Sequence, residues 1–254
     1  MSELIDTALW RAAIQTVSLS LFRFRSVASR LWVLGQMGAA RLAFQRIPEA
    51  RFWKLCGSGT GEGFTPIPNT QVWAILAVWE DEATARRMTE DAPVYARWRR
   101  KASESWTVFL SPSSSRGHWS GESPFLTTPE SATEPPLGQL AVLTRATIKP
   151  SILTQFWKRV PDISAVIGSD PNVMFKIGIG EVPWLHQVTF SIWPDAQSMA
   201  AFARDRAGPH AQAIQAVRDG NWFREELYAR FTVIDSVGTW EGRDPLTKTE
   251  RTAA

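Results

Sequence analysis

The sequence predicts an α+β fold. Two β-α-β-β-α-β repeats, fused in one chain, set their antiparallel sheets face to face and enclose a barrel. Three observations predict it. Apolar runs of strand length alternate with helix-length stretches, in the same order twice. Landmark residues recur at nearly constant spacing: Trp79 and Trp193 stand 114 residues apart, as do Asp81 and Asp195. Pro93 and Pro209 stand 116 apart, as do Trp106 and Trp222, and Trp119 and Trp240 stand 121 apart. Between the two sets, residues 120–136 read SGESPFLTTPESATEPP, turn formers and prolines without an apolar period, which marks a linker. The slow drift in spacing points to small insertions after one duplication, not to a solenoid.

The elements follow in order. Residues 1–13 form an extension. The first repeat, 14–119, opens with the strand pattern Thr16–Phe24 and a helical stretch Leu31–Phe44. FWKLCGSGTGEG then runs from Phe52, followed by the apolar strand Val72–Trp79. Helices at Glu82–Glu90 and Pro93–Ser103 and a strand at Trp106–Leu110 complete it. The second repeat, 137–243, carries a strand at Gln139–Ile148, a helix at Ser151–Val160, VMFKIGIGE from Val173 and a strand at Gln187–Trp193. Helices at Ala196–Arg206 and Pro209–Arg218 and a strand at Phe231–Asp235 follow, then a tail over 244–254. Asp81 and Asp195 each precede a helix as N-caps. Each sheet must cover its open face, and two sheets in one chain can cover each other.

Composition narrows the function. A chain of 254 residues that is 44% hydrophobic and 21% charged buries its own core. One cysteine excludes an intrachain disulfide and any multi-cysteine metal site, and suits a reducing compartment. A net charge of +3 is too small to imply nucleic acid. No apolar run approaches the ~20 residues that span a bilayer. Residues 1–11 hold Glu3 and Asp6 and lack the basic and apolar regions of a secretory signal. The excess is aromatic: 13 Trp and 13 Phe beside 2 Tyr, which suits a large apolar cavity, an interfacial surface, or both.

Few residues can carry chemistry. His210 follows Pro209 at the start of a helical run and shares its apolar face with Ile214 and Val217. One imidazole on an apolar wall is either a structural histidine or a ligand for a haem iron. His118 lies in an exposed loop. His186 stands at a strand entrance, where it lines a cavity or serves a turn. Cys56, before a glycine-rich loop, is either a small buried hydrophobe or a thiolate ligand to iron. The loop Gly57-Ser58-Gly59-Thr60-Gly61-Glu62-Gly63 fails both nucleotide motifs, because Glu62 stands where a dinucleotide fingerprint needs glycine and no lysine follows. It reads as a bulged hairpin or as a lip over a cavity mouth, where Phe52, Trp53, Lys54, Gly57, Gly59, Gly61 and Phe64 would meet a substrate. Glu225-Glu226 reads as a solvated helix face. The basic runs Arg86-Arg87 and Arg97–Lys101 read as solvated faces, or as docking sites for an acidic partner or an anionic lipid surface.

The run FWKLCGSGTGEGFTPIPN at Phe52–Asn69, with TVSLSLFRF, TVFLSPSSSRGHWSG and GPHAQAIQAVRDGNWFREELYARFTV, resembles the spheroidene monooxygenase family over roughly residues 14–243. The overall plan resembles the dimeric α+β barrel superfamily, here as an intrachain barrel. The resemblance implies an enzyme that uses haem b, O2 and reduced ferredoxin. It implies a C-2 keto group placed on a linear carotenoid, spheroidene to spheroidenone, by two successive hydroxylations. His210 becomes the expected proximal iron ligand, with Ile214 and Val217 against the haem and Cys56 as the alternative. Lys54, Arg23 and Arg25 are candidates for its distal side. The expected setting is cytoplasmic, with peripheral attachment to the photosynthetic membrane. Another haem reaction on the same barrel, or a carotenoid or haem carrier, are the competing readings.

Overall fold

The computed structural model describes residues 15–63, 65–127, 138–158, 172–204 and 222–247. Their elements are β1 (Thr16–Arg23), α1 (Val27–Phe44), β2 (Phe52–Gly59), β3 (Pro68–Trp79), α2 (Glu82–Asp91), α3 (Pro93–Lys101) and β4 (Glu104–Gly117). The second half supplies β5 (Leu140–Ile148), β6 (Phe175–Gly180), β7 (His186–Trp193), α4 (Ala196–Arg204) and β8 (Phe223–Gly238). A 3-10 turn, Pro150–Ile152, leads into helical residues 153–158.

The strands close into one barrel in the order β1-β3-β2-β6-β7-β5-β8-β4. Each half contributes a ferredoxin-like sheet, β4-β1-β3-β2 or β8-β5-β7-β6, with neighbours antiparallel. The expected intrachain dimeric α+β barrel is therefore the fold. Its two seams are unequal. β4 and β8 pair from Trp106↔Gly238 to Gly117↔Leu227, whereas β2 and β6 pair only at Gly57↔Gly180 and Ser58↔Ile179.

Alternation decides what fills the barrel. Val17, Leu19, Leu21, Cys56, Leu76, Val108, Leu143, Phe190 and Phe231 point inward and form one buried core. The outward side of the first sheet carries Phe22, Trp73, Ile75, Trp79 and Phe109, and α1, α2 and α3 bury it. Trp98 of α3 meets Phe22 and Phe24 edge to face at 5.3 and 6.0 Å. Trp79 donates its indole N–H to Ser18 at 2.8 Å, so the outward polar position of β1 satisfies a buried donor.

Helix ends follow local chemistry. Asp81 accepts from the backbone N–H of Thr84, and Asp195 from that of Ser198, both at 2.7 Å, as their N-cap positions predict. α1 starts at Val27, four residues before the predicted start, because Ser26 caps it through the N–H of Ser29 at 3.1 Å. β4 and β8 are longer than the apolar runs that predicted them, because their outer ends pair with each other. One landmark pair was misaligned. By sheet register Trp106 matches Leu227, not Trp222, because β8 begins at Phe223 and Trp222 precedes it.

Candidate functional site

A cavity of about 330 Å³ lies on the outer side of the β2–β6 seam. Leu34 and Met37 of α1 wall one side, and Pro66, Trp73, Trp157 and Trp184 wall the others. The indoles spend their N–H groups on carbonyls: Trp73 on Thr70 at 2.8 Å, Trp184 on Pro66 at 2.7 Å and Trp157 on Trp184 at 3.1 Å. Their ring faces are left for an apolar ligand. Trp184 holds a positive φ of 65° at the rim.

The glycine-rich loop explains why the cavity sits there. Gly63 has a φ of +92°, and a Cβ at this position would lie 1.9 Å from the Gly178 carbonyl oxygen. Only glycine lets the loop lie this close to β6. The Gly178 N–H then donates to the Glu62 carbonyl at 2.7 Å, and Ser58 Oγ donates to the Gly178 carbonyl at 2.9 Å. The loop thus prolongs the short β2–β6 seam. Of its predicted contacts, Gly57 and Gly59 line the cavity, while Gly61 turns at a φ of +65° in open space. Phe64 lies outside the described residues.

Behind the cavity a carboxylate gathers the cations. Glu181, which follows β6, accepts from the indole N–H of Trp119 at 2.7 Å. Lys54 Nζ stands 3.3 Å from it, Arg145 Nη2 3.9 Å and His186 Nδ1 3.5 Å. Burial opposes its charge, but His186, Trp119 and Lys54 outweigh burial and hold the Glu181 pKa down at about 2. Arg145, 1% exposed at its side chain, also pairs with Glu225. Glu225 in turn accepts from the backbone N–H groups of Gly121 and Ser120 at 2.7 and 3.0 Å. Lys54 Nζ donates to Ser120 Oγ at 2.7 Å and lies 4.8 Å from the Phe52 ring centroid. His186 and Glu181 line both the cluster and the cavity.

The structure therefore brings Lys54, His186 and the two glycines to one place. Phe52 and Trp53 fall on opposite sides of β2. Phe52 meets Trp119 inside the barrel at 5.7 Å, and Trp53 stacks on Phe44 of α1 at 5.0 Å. Cys56 is fully buried in the barrel core and does not line this cavity. Burial and then the Glu181 charge push its pKa far up, and the nearby cations Lys54, Arg145 and Arg41 offset this only in part, so without a bound metal it is a thiol. His118 is exposed. His210, Ile214 and Val217 lie outside the described residues, and no group of three or more metal-binding side chains occurs among the described ones. Arg23 pairs with Glu104 at the opposite barrel end.

Sequence reasoning missed Arg145, Glu181 and Trp119, and misplaced Glu225. Glu225 and Glu226 lie on β8 rather than on a helix, so only Glu226 faces solvent. The one signal available was Arg145, a charge at an inward position of an otherwise apolar strand.

Fold and site together define a duplicated α+β barrel with a tryptophan-walled cavity backed by a carboxylate–cation cluster. No protein-family model matches the sequence. Two solved aldoxime dehydratase structures share the fold. One, in complex with butyraldoxime, has a TM-score of 0.57 and 11% identity over 88% of this chain and 81% of that one. The other has a TM-score of 0.58 and 13% identity over 87% and 82%. Curated relatives are much nearer in sequence. Spheroidene monooxygenase of Cereibacter sphaeroides is 56% identical over 92% of this chain and 71% of its own length. That of Rhodobacter capsulatus is 54% identical over 90% and 94%, and that of Rubrivivax gelatinosus 34% over 85% and 81%. The chain belongs to the spheroidene monooxygenase family.

Proposed function

We propose that the chain is a haem-dependent carotenoid monooxygenase that converts the terminal C-2 methylene of a linear carotenoid into a ketone. The structural observation that carries this reading is the tryptophan-walled cavity. A linear polyene offers almost nothing to hydrogen-bond, so its recognition must come from apolar contact, which Trp73, Trp157, Trp184, Leu34 and Met37 supply. At about 330 Å³ the cavity suits one end of a long polyene, with the remainder passing out over the rim. Oxidation at a terminus fits that arrangement. Family membership supports the substrate class.

The described residues fit a flat prosthetic group beside this cavity. The outward side of β5, β7 and β6 includes the small side chains of Val142, Thr144, Ala146, Thr189 and Gly178; by sheet register Ala146, Thr189 and Gly178 stand where the first repeat has Phe22, Ile75 and Leu55. Thr144, Thr189 and Gly178 are consecutive cross-strand partners. Gly180 and Gln187, the next outward positions, line the cavity. His210 would hold the iron, with Ile214 and Val217 packed beside it. Haem supplies the activation of O2 that no side chain provides.

The chain's own residues place and exclude. The indole walls fix the polyene end and keep water out. Glu181, ionised throughout the working pH range, fixes Lys54 and His186 at the rear wall. Each of two hydroxylations takes one O2, two protons and two electrons from reduced ferredoxin. The resulting gem-diol loses water to give the ketone.

The test is product analysis with spheroidene, O2 and a ferredoxin system, beside the absorption spectrum of the purified protein. A Soret band abolished in His210→Ala and retained in Cys56→Ala is expected, with ketocarotenoid formed by the wild type. A haem protein that yields no ketocarotenoid in a competent assay overturns the reaction. Loss of the band in Cys56→Ala alone overturns the ligand.

A further inference from the structure

We propose that α1 is a docking surface for an anionic lipid bilayer and that it sets the cavity mouth against the membrane. α1 is apolar on two sides. Val33, Ala40 and Phe44 are buried against the barrel. Val27, Leu31, Leu34 and Leu42 follow the helical period i, i+4, i+7 and i+15 on the other side. They are 63%, 65%, 45% and 61% exposed. A helix with two apolar sides belongs between two apolar media, and the barrel is only one of them. Ile67, 63% exposed, and Trp184, 50% exposed, extend the patch across the cavity mouth, which Leu34 and Trp184 themselves line. Exposed apolar side chains in such a continuous group mark an interaction surface.

Charge selects the occupant. α1 contains Arg30 and Arg41 and no acidic residue, and the exposed Arg46 follows it. Glu62 and Glu181, the carboxylates flanking the outer loops, are each tied to a lysine. Leucines beside unopposed arginines match an anionic headgroup layer over hydrocarbon. A second copy matches poorly, because two-fold pairing through α1 sets the same arginines against each other. Among the described residues no helix is long and apolar enough to cross a membrane, so contact through α1 is lateral.

This inference deepens the reading of the cavity as a polyene site, yet vesicle binding is measured without haem, ferredoxin or substrate, so either can fail alone. The 254-residue chain is floated with phosphatidylcholine vesicles, with or without about 30 mol% phosphatidylglycerol. Binding to the anionic vesicles is expected, and Leu31→Glu with Leu34→Glu lowers the partition coefficient at least about tenfold. Arg30→Gln with Arg41→Gln removes the preference for phosphatidylglycerol and its sensitivity to salt. Cys56 is the chain's one cysteine and is fully buried, so a polarity-sensitive maleimide dye attaches at Leu31→Cys or at Arg230→Cys on β8, across the barrel. The dye shifts to the blue with vesicles at position 31 and stays unchanged at 230. No vesicle binding by the wild type, equal dye responses at both positions, or a concentration-dependent dimer dispersed by the glutamates without vesicle binding each overturn the proposal.

Discussion

Gly63→Ala, set against Gly61→Ala, tests whether the glycine-rich loop is a structural seam. Both residues have positive φ, which costs a non-glycine residue about 1–2 kcal/mol. At Gly61 an added Cβ meets nothing within 4 Å, so the expected loss is about 1 kcal/mol. At Gly63 the Cβ would fall 1.9 Å from the Gly178 carbonyl oxygen and 2.7 Å from Ser58 Oγ. Backbone on both sides must part. The bonds Gly178 N–H to Glu62 and Ser58 Oγ to Gly178 are then lost, at about 1 kcal/mol each. The expected total is about 3–4 kcal/mol. Urea unfolding measures both, with an unchanged slope showing that the compact states are the same. Equal midpoints for the two variants would refute the reasoning and return the loop to the role of a free lip.

Three further outcomes follow. Glu181→Gln is expected to destabilise by about 3 kcal/mol at neutral pH, since Lys54 and Arg145 lose a buried counter-charge. Glu181 has a depressed native pKa, so its contribution is complete above the unfolded value of 4.5 and fades as pH falls toward about 2. Wild type and variant should therefore converge in urea titrations near pH 2, and a constant gap would contradict the assignment. Met37→Trp narrows the cavity at a half-buried helix position. Carotenoid affinity by absorbance titration should fall at least about tenfold, at a stability cost under about 1.5 kcal/mol; unchanged affinity places the polyene elsewhere. Cys56, fully buried and held as a thiol, should resist maleimide in the native state and react on unfolding. Rapid native labelling would contradict the burial and favour the thiolate reading.

The strands of both repeats were legible because inward positions must be apolar, and period-2 alternation records that directly. The duplication was legible because tryptophans are rare and their spacing survives insertion. The turns after Trp119 and Trp240 show how closely the halves correspond. Each closes on itself, Trp119 with Glu122 and Trp240 with Arg243, and puts two residues at positive φ. Glu181 was illegible for a physical reason. Its neighbours are contributed by Lys54, Trp119, Arg145 and His186, and only barrel closure makes them adjacent. Glu225 was misread for the same cause: its partner lies 80 residues away on another strand. The segment after Trp119 looked like plain linker, yet Phe125 is buried and meets Phe231 at 5.0 Å.

Correspondence between the halves also shows where the two barrel ends differ. Glu104 and Glu225 each accept backbone N–H groups from the turn behind the matching tryptophan, Gly242 in one case and Ser120 and Gly121 in the other. Arg23 and Arg145 pair with those carboxylates. Both barrel ends thus share an arginine, a glutamate, a tryptophan and a tight turn, which is what a duplicated fold needs to cap its core. By register, Lys54 in the first repeat corresponds to Ile177 in the second, and His186 in the second to Val72 in the first. At one end these inward positions remain apolar. At the other, a lysine and a histidine surround Glu181 beside the tryptophan-walled cavity. Capping alone does not require them, because the opposite end is capped without them. The difference between two ends of a duplicated barrel separates what holds the fold from what serves the cavity.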